Sequence, residues 1–387
     1  MPVKFVVCVP DGCADEPVDE LGGRTPLEAA AMPHLRALAR RGTVGRAAVV
    51  PPGLPPGSDV GNLSIFGYDP ARYHTGRAPI EAAALGLRLE PDQVAFRCNL
   101  VTLGEDGTMR DFAGGHPSSD AAAPVIAALQ ESLGGDGLSF HAGVEYRHVL
   151  VAPAEWADAR CVPPHDLSDK PVVWPEGPAA PRLRELMEAA APVVAKAGGA
   201  AGRATGIWLW GQGTAPSLPP FAERYGCTGA LNTAVDLIRG LGVLAGLEVV
   251  EAEGVTAGYD TSYEATRDAC LRTLAAGVDL FVIHVEATDE AGHAGHLDEK
   301  VRALEAWDAR ILGPLVQGLD ELGPWRLLLL PDHPTPVARK THTSEPVPWL
   351  LVDSAEDGPG GAYSERATAG CPVVPGHELM GRLVGQV

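Results

Sequence analysis

Apolar runs of strand length alternate along this chain with longer segments in which apolar residues recur at helical spacing. The apolar runs predict β-strands at residues 3–9, 95–103, 139–153, 207–211, 278–285, 327–330 and 347–352. The helical spacing predicts α-helices at residues 26–41, 119–133, 181–196, 231–244, 262–276 and 297–315. Strands that alternate with helices are typical of α/β folds, so we predict helices layered on a buried sheet.

The pattern of strand-like and helical segments between residues 89 and 203 differs from that in the rest of the chain. Two strand-like runs there flank a helical segment, and a proline-rich passage at 161–181 leads into another helix and a Gly/Ala linker at 197–204. This arrangement is typical of a small α+β module. We therefore predict a discontinuous core domain at 1–88 and 204–387, with a smaller domain inserted at 89–203.

Composition excludes several classes of protein. A hydrophobic content of 45% over 387 residues is that of an ordinary globular protein, and the formal net charge of −20 disfavours a nucleic-acid partner. It does not disfavour a small phosphorylated substrate, which needs only a few local arginines. Seven scattered cysteines without a C-x-x-C pair predict reduced thiols in the cytoplasm. We expect no signal peptide and no membrane span.

Acids and imidazoles follow three of the predicted strands. Asp11 follows the first strand, and Asp289 and His293 follow the strand that ends at 285. Asp332 and His333 follow the strand that ends at 330. Open α/β sheets build their sites at the carboxyl ends of strands, so the repetition predicts one shared site. Asp289 and His293 have the i, i+4 spacing that places two side chains on one face of a helix.

His342 lies in a polar turn nine residues after His333. Oxygen donors combined with neutral nitrogen donors suit manganese, zinc, cobalt or iron better than calcium. The stretch from 325 to 351 is equally compatible with a capped strand end and two hydrogen-bonded histidines. Spacing alone leaves both interpretations open.

Ser58 is the first residue of a segment with helical spacing, and the residues before it, 51–57, are rich in proline and glycine. A serine at the start of a helix usually caps it by accepting a backbone hydrogen bond. The alternative is a nucleophile whose transferring group lies near the helix N-terminus, which favours anions. Both interpretations stay open on these residues.

Seven motifs spread over nearly the whole chain resemble one family. They are PDGCADEP (10–17), PPGSDVGNLSIFGYDP with TGRAPIEA (75–82), AFRCNLVTL, GVEYRHVLV, TDEAGHAGH and PDHPTPVARKTHTSEPVP. In combination they resemble the cofactor-independent phosphoglycerate mutases of the alkaline phosphatase superfamily, above all the shorter, archaeal-type branch. The resemblance implies an alkaline-phosphatase-like α/β/α sandwich core with an inserted substrate domain, which would close over the core to exclude water.

The resemblance also implies two divalent cations and a phosphorylated serine. Manganese is the first candidate, with zinc, cobalt or magnesium as the others. One cation would be held by Asp11, Ser58, Asp332 and His333, and the second by Asp289, His293 and His342. Ser58 would carry the phosphate in the middle of the reaction. Candidate substrate-binding residues, chosen for their affinity for phosphate and carboxylate, are Arg77, Arg97, Arg147, Lys340 and His116.

The implied activity is an isomerase that interconverts 3-phosphoglycerate and 2-phosphoglycerate in glycolysis and gluconeogenesis. Two alternatives remain: a related phosphotransferase such as a homoserine kinase-like enzyme, and a phosphatase on the same fold. Glu286-Ala287-Thr288 stands where archaeal mutases usually have a Lys-Gly pair, and Asn62 where mutases often have His. These departures leave all seven ligand positions intact. The chain lacks a G-x-x-x-x-G-K-[ST] nucleotide loop, which weakens the kinase alternative.

Overall fold

The computed structural model describes residues 2–197 and 202–386, so part of the predicted linker at 197–204 lies outside the described residues. The strands are β1 (Lys4–Pro10), β2 (Thr43–Ala48), β3 (Gln93–Leu103), β4 (Met109–Asp111), β5 (Ser139–His141), β6 (Arg147–Pro153), β7 (Gly206–Thr214), β8 (Gly229–Asn232), β9 (Glu248–Val249), β10 (Leu280–Val285), β11 (Trp325–Leu329), β12 (Val347–Asp353) and β13 (Val373–Pro375).

The helices are α1 (Pro26–Ala29), α2 (Pro33–Ala39), α3 (Ser58–Ile65), α4 (Pro70–Tyr73), α5 (Ala78–Ala84), α6 (Ser119–Leu133), α7 (Ala180–Ala197), α8 (Phe221–Tyr225), α9 (Asp236–Ala245), α10 (Tyr263–Ala275), α11 (Ala287–Ala294), α12 (Leu297–Trp307), α13 (Gly313–Leu322), α14 (Glu365–Thr368) and α15 (Leu379–Val384). None of these described helices combines the length and the apolar character that crossing a bilayer requires.

The chain divides into two compact units. The larger comprises the described residues up to His74 and from Leu218 onward, and the smaller comprises Thr75–Ser217. The larger unit holds a mixed sheet with the strand order β13-β2-β12-β11-β1-β10-β8-β9. Four neighbouring strands around β1, namely β11, β1, β10 and β8, run parallel, and β12 is antiparallel to β11 and to β2.

Helices cover both faces of the larger sheet. On one face Cys8 of β1 and Ile283 of β10 belong to a fully buried apolar cluster together with Leu304 of α12. On the other face Leu231 of β8 approaches Gly242 of α9, where a Cβ atom would lie 2.3 Å from the leucine side chain. α15 packs against β11. The predicted α/β fold is confirmed, with a helix layer on each side of the sheet.

The smaller unit is built on an antiparallel sheet. β3 pairs with β6 along one edge and with β7 along the other, β5 extends the sheet beyond β6, and β4 pairs with the end of β3. α6 and α7 pack against one face, and α5 packs against Ala95 and its neighbours on the other. The interval predicted as the inserted domain, 89–203, lies within this unit. The unit also includes α5 and β7, because they pack on and pair with β3.

Two predicted elements are divided in the structure. The helix predicted at 26–41 is two helices, α1 and α2, because Pro33 lacks the backbone N–H that would continue the first and instead begins the second. The single strand predicted at 139–153 is the pair β5 and β6, which run antiparallel. Glu145 in the intervening turn has a φ of 55°, a backbone conformation that ends a strand.

Two predicted helices have different bounds. The helix predicted at 231–244 begins at Asp236, since Leu231 belongs to β8 and pairs with Val282 in the parallel sheet. The helix predicted at 297–315 is α12 followed by one π-helical turn, Asp308–Leu312, and then α13. The Asp308 carboxylate accepts hydrogen bonds from the backbone N–H groups of His34 and Leu35, which begin α2. The π turn thus supplies the cap that α2 lacks in its own sequence.

Candidate metal centre

The order of the strands brings the three predicted strand ends to one edge of the larger sheet. β1 lies between β10 and β11 and runs parallel to both. Asp11 directly follows β1, and Asp332 and His333 lie just beyond β11. Asp289 and His293 lie on α11, which begins two residues after β10 ends. The shared edge that the sequence predicts is confirmed.

Ser58 is the first residue of α3, but it does not cap that helix. Gly57 occupies the N-cap position, and the Ser58 side chain makes no capping hydrogen bond. Ser58 Oγ lies 3.1 Å from Nε2 of His333. Asn62 donates from Nδ2 to the Ser58 carbonyl at 3.0 Å and to Oδ2 of Asp332 at 2.7 Å. The interpretation of Ser58 as a helix cap is therefore wrong. The serine hydroxyl lies instead within the group of acids and histidines that follow β1, β10 and β11, which we call the strand-end cluster.

The start of α3 approaches the strand end closely because of Gly61. A Cβ atom at Gly61 would lie 2.2 Å from the backbone oxygen of Asp332, far inside van der Waals contact. Any larger residue would push α3 away from β11. Glycine at this position therefore allows Ser58 to reach His333.

Asp11, Asp332 and His333 form the first group of candidate ligands. All three are fully buried. His333 Nε2 lies 3.6 Å from Oδ1 of Asp11 and 3.4 Å from Oδ2 of Asp332. The Gly12 backbone N–H donates to Oδ1 of Asp332 at 3.2 Å. Both carboxylate oxygens of Asp11 are buried and make no hydrogen bond among the described residues, although Nε2 of His284 lies 3.1 Å from Oδ2.

Burial and like charge control the ionisation of this first group. Burial, followed by the charges of Asp332 and Asp289, raises the pKa of Asp11 well above its usual value. Burial lowers the pKa of His333, which favours the neutral imidazole. A neutral imidazole can offer a lone pair to a cation, and ionised carboxylates gathered here need positive charge to balance them.

Asp289, His293 and His342 form the second group. Nε2 of His293 lies 3.2 Å from Oδ2 of Asp289, and Nε2 of His342 lies 3.5 Å from Oδ1. The two Nε2 atoms are 2.8 Å apart. His293 donates from Nδ1 to the carbonyl of Lys340 at 3.1 Å, because a carbonyl can only accept. The Nε2 atoms of both rings therefore face one carboxylate.

Charge in the second group is balanced by protons. Burial acts to raise the pKa of Asp289, but the hydrogen bonds from His293 and His342 hold this pKa well below its usual value. The hydrogen bond to Asp289 raises the pKa of His293 to about 9. A cation bound between these three side chains would replace the imidazolium proton.

The donor chemistry of both groups suits transition-metal cations. Ligand atoms of the sets Asp289, His293, His342 and Asp11, Asp289, His333 each lie within 4.8 Å of one another. Buried carboxylates, imidazole nitrogens that point inward and carboxylate oxygens without donors are what a divalent cation requires. The residues present therefore fit the cations that the resemblance implies.

Three further residues near the candidate ligands have no site role predicted from the sequence: His284, Thr335 and Asn62. His284 is fully buried in β10, with Nε2 3.1 Å from Oδ2 of Asp11 and Nδ1 3.1 Å from the hydroxyl of Thr233. Burial lowers the pKa of His284 to about 4. Thr335 contacts both ligand groups, and Asn62 contacts Ser58 and Asp332. A histidine inside an otherwise apolar strand was the one signal that could have identified His284.

In the smaller unit, Arg77 and Arg97 are brought together by one carboxylate. Oε1 of Glu81 accepts a hydrogen bond from Nε of Arg77 at 3.1 Å, and Oε2 lies 2.9 Å from Nε of Arg97 as an ion pair. The Arg97 guanidinium also lies 4.3 Å from the ring centre of Trp210. Burial lowers the pKa of Arg97 to about 10, a value that still leaves it charged at neutral pH.

Arg147 and His116 contact a common aromatic residue of the smaller unit. The Arg147 guanidinium lies 5.6 Å from the ring of Tyr146, and the His116 ring packs edge-on at 5.5 Å. Phe112 packs against Tyr146, and His165 packs against Phe112 and Trp210. These aromatic rings form a chain of contacts that connects Arg97 with Arg147 and His116. Lys340, the remaining candidate, is an exposed residue of the larger unit with a φ of 56°.

Comparisons with known proteins agree on one family. The family model for 2,3-bisphosphoglycerate-independent phosphoglycerate mutase matches residues 39–197. A probable 2,3-bisphosphoglycerate-independent phosphoglycerate mutase of Geobacter sulfurreducens is 46% identical over 98% of both chains. The corresponding mutase of Methanothrix thermoacetophila is also 46% identical, over 91% of both chains.

Solved structures share the fold. A protein of Pyrococcus horikoshii matches with a TM-score of 0.80 and 26% identity, covering 100% of this chain and 98% of that one. The cofactor-independent phosphoglycerate mutase of Thermoplasma acidophilum matches with a TM-score of 0.66 and 24% identity over 99% of each chain, which supports the fold alone. Because the chain is 46% identical to these two relatives over at least 91% of its length, it belongs to the 2,3-bisphosphoglycerate-independent phosphoglycerate mutases.

Proposed function

We propose that this chain interconverts 3-phosphoglycerate and 2-phosphoglycerate without 2,3-bisphosphoglycerate, through a phosphorylated Ser58. The observation that carries the proposal is the position of the Ser58 hydroxyl, 3.1 Å from His333 within a buried group of carboxylates and imidazoles. The names of these relatives support the same reaction. The seven free cysteines fit the reduced cytoplasm in which we propose that the enzyme works.

Two divalent cations are part of the proposal. Asp11, Ser58, Asp332 and His333 would hold one, and Asp289, His293 and His342 the other. Manganese is our first candidate, and zinc, cobalt or magnesium are the others. When bound, such cations lower the pKa of a coordinated hydroxyl and neutralise charge on a transferring phosphoryl group.

Ser58 performs the group transfer in this proposal. A bond forms between Ser58 Oγ and phosphorus while the bond from phosphorus to one glycerate oxygen breaks, and the proton that the serine hydroxyl loses is taken up by that glycerate oxygen. The other hydroxyl of the same glycerate then takes the phosphoryl group and gives up its proton, which returns to Ser58 Oγ and regenerates the serine. Asn62 supports this role, because it fixes the backbone of Ser58 relative to Asp332. Water must be excluded while the phosphoserine exists, and the smaller unit is our candidate for that task.

Arginines supply the affinity for the substrate anion. Phosphoglycerate carries a phosphate and a carboxylate, and a guanidinium can bind either group with two parallel hydrogen bonds. We propose Arg77, Arg97 and Arg147 for this role, with His116 and Lys340 as additional contacts. The Trp210 ring and the Glu81 carboxylate support the proposal, since they hold the Arg97 side chain in one orientation.

The test is conversion of 3-phosphoglycerate by the manganese-loaded protein, coupled to enolase and without added bisphosphoglycerate. We expect rapid conversion, and we expect Ser58→Ala to lower kcat by roughly a thousandfold or more while circular dichroism stays close to the wild type. Most of the manganese should remain bound in this variant, because Asp11, Asp332 and His333 still hold the first cation and the second group is unchanged. No conversion by a folded, metal-loaded wild type would overturn the mutase assignment. Homoserine with ATP would then be the next substrate to assay.

A further inference from the structure

The Thr335 side chain lies between the two groups of candidate ligands. It is fully buried, and it follows His333 by two residues on the loop after β11. Its Oγ1 donates a short hydrogen bond to Oδ1 of Asp289 and lies 3.2 Å from Nδ1 of His333. We propose that Thr335 is a positioning residue that couples the two candidate cation sites. The inference rests on the proposed function, because it concerns the cations assigned there.

The direction of these hydrogen bonds defines which nitrogen of His333 carries the proton. A threonine hydroxyl has one proton, and a carboxylate without a proton can only accept it. The Thr335 oxygen must therefore accept from Nδ1–H of His333. In the neutral ring this leaves a lone pair on Nε2, the atom that faces Ser58 Oγ at 3.1 Å. One hydroxyl thus orients a ligand of each group.

Two glycines, Gly12 and Gly292, leave room for the Thr335 residue because they have no side chain. A Cβ atom at Gly12 would lie 2.5 Å from Oγ1 of Thr335 and 2.4 Å from Oδ1 of Asp289. A Cβ atom at Gly292 would lie 2.4 Å from the Thr335 carbonyl oxygen. Both contacts are shorter than any real side chain tolerates. The loop after β1 and helix α11 can therefore enclose Thr335 only because glycine stands at these positions.

The backbone of Thr335 is anchored independently of its side chain. Its N–H donates to the carbonyl of Ala14 at 3.1 Å, and its carbonyl accepts from Nζ of Lys300 at 2.8 Å. These bonds do not involve Oγ1, so removing the hydroxyl leaves them in place. Replacing Thr335 by valine, which has the same shape, therefore isolates the effect of the hydroxyl.

The first experiment titrates Mn²⁺ into metal-free protein and follows binding by calorimetry and by the electron paramagnetic resonance signal of paired manganese. We expect the wild type to bind two ions. Thr335→Val should weaken binding of at least one of them by roughly ten- to a hundredfold and reduce the paired signal, as loss of a hydrogen bond to a ligand does. Thr335→Ser keeps the hydroxyl and should bind within about threefold of the wild type. Wild-type affinities in Thr335→Val would overturn the inference.

A second measurement uses the wild type and does not depend on a variant that folds. Nitrogen-15 NMR of histidine-labelled, metal-free protein should show His333 with its proton on Nδ1, the resonance being assigned by its loss in His333→Gln. A proton on Nε2 would overturn the inference. A wild type that binds no pair of divalent ions would instead overturn the proposed function, so the two failures are distinguishable.

Discussion

Glu81 contacts two of the three candidate substrate-binding arginines, and its charge should control their orientation. The glutamate oxygens contact Nε of Arg77 and Nε of Arg97, and the Glu81 side chain is 14% exposed. Glu81→Gln removes the negative charge but preserves the length of the side chain. We expect KM for 3-phosphoglycerate to rise by roughly tenfold, because a hydrogen bond to a charged group contributes about 1.5–3 kcal/mol.

The matched control for this variant is Glu131→Gln on α6, an exposed glutamate of the same unit. It makes the same change of charge, so it should leave KM and kcat close to the wild type. Steady-state kinetics in the coupled enolase assay measures both constants. An equal KM in Glu81→Gln and Glu131→Gln would remove Glu81 from the substrate site. A fall in kcat alone would place its effect on the reaction step instead.

At the scale of single residues, the sequence grouped the candidate ligands better than it defined their surroundings. Asp11, Asp332 and His333 follow strands whose ends share an edge, so the periodicity of the chain was sufficient to group them. Thr335 and His284 act through other residues, and such contacts have no characteristic spacing. Only the packing of separate strands, loops and helix α11 brings their hydrogen-bonding atoms to the carboxylates.

At the scale of elements, a buried lysine joins two loops of the candidate metal centre. Lys300 of α12 is fully buried, and its Nζ lies 2.8 Å from Oδ2 of Asp15 in the loop after β1. It also donates to the carbonyl of Thr335 in the loop after β11. Asp15 Oδ2 accepts a further bond from the Val337 N–H at 3.2 Å. The ion pair therefore fixes the loop of Asp11 against the loop of His333.

Removing one partner of this pair should destabilise the larger unit strongly. Lys300→Met preserves the aliphatic chain but leaves the Asp15 carboxylate buried and unpaired, which typically costs about 3–5 kcal/mol. Urea unfolding of the metal-free protein measures the free energy of unfolding. Combining Lys300→Met with Asp15→Asn should recover part of the loss, because the buried charge is then absent.

Arg302→Met on the same helix is the matched control. Arg302 pairs with Glu299 at the surface, where its side chain is 65% exposed. An exposed pair contributes at most about 1 kcal/mol, so the free energy of unfolding should hardly change. Equal losses in Lys300→Met and Arg302→Met would show that burial of the Lys300 pair has no special importance.

The bounds of the elements show where sequence patterns are ambiguous. Helix α6 matches its prediction at 119–133, because a serine cap and a long amphipathic run define it. The sequence pattern places Leu231 in a helix, but Leu231 belongs to a buried parallel strand, which is apolar on both faces and has no alternation to recognise. The π turn at 308–312 contains Asp308, whose carboxylate caps helix α2, and this tertiary contact is encoded by no local pattern.

At the scale of the whole molecule, three buried carboxylates face one another in a protein whose net charge is already −20. Asp11, Asp289 and Asp332 repel one another, which is part of why the pKa of Asp11 is raised. A protein with this charge also attracts any divalent cation through its surface. A stabilising effect of manganese must therefore be separated from this general screening. Calcium at equal concentration provides the baseline, since it prefers a set of oxygen ligands.

Manganese should raise the midpoint of thermal unfolding by more than calcium does. A free ion concentration of a hundred times Kd stabilises the folded state by about 2.7 kcal/mol for each site, or roughly 5–10 °C in Tm for a unit of this size. His342→Ala removes one ligand of the second group and keeps the first group intact, so its gain in Tm should fall between those of calcium and manganese on the wild type. Differential scanning calorimetry, with chelator-treated protein as reference, measures all three. If manganese, zinc, cobalt and magnesium each gave only the calcium shift, the strand-end cluster would not be a cation site.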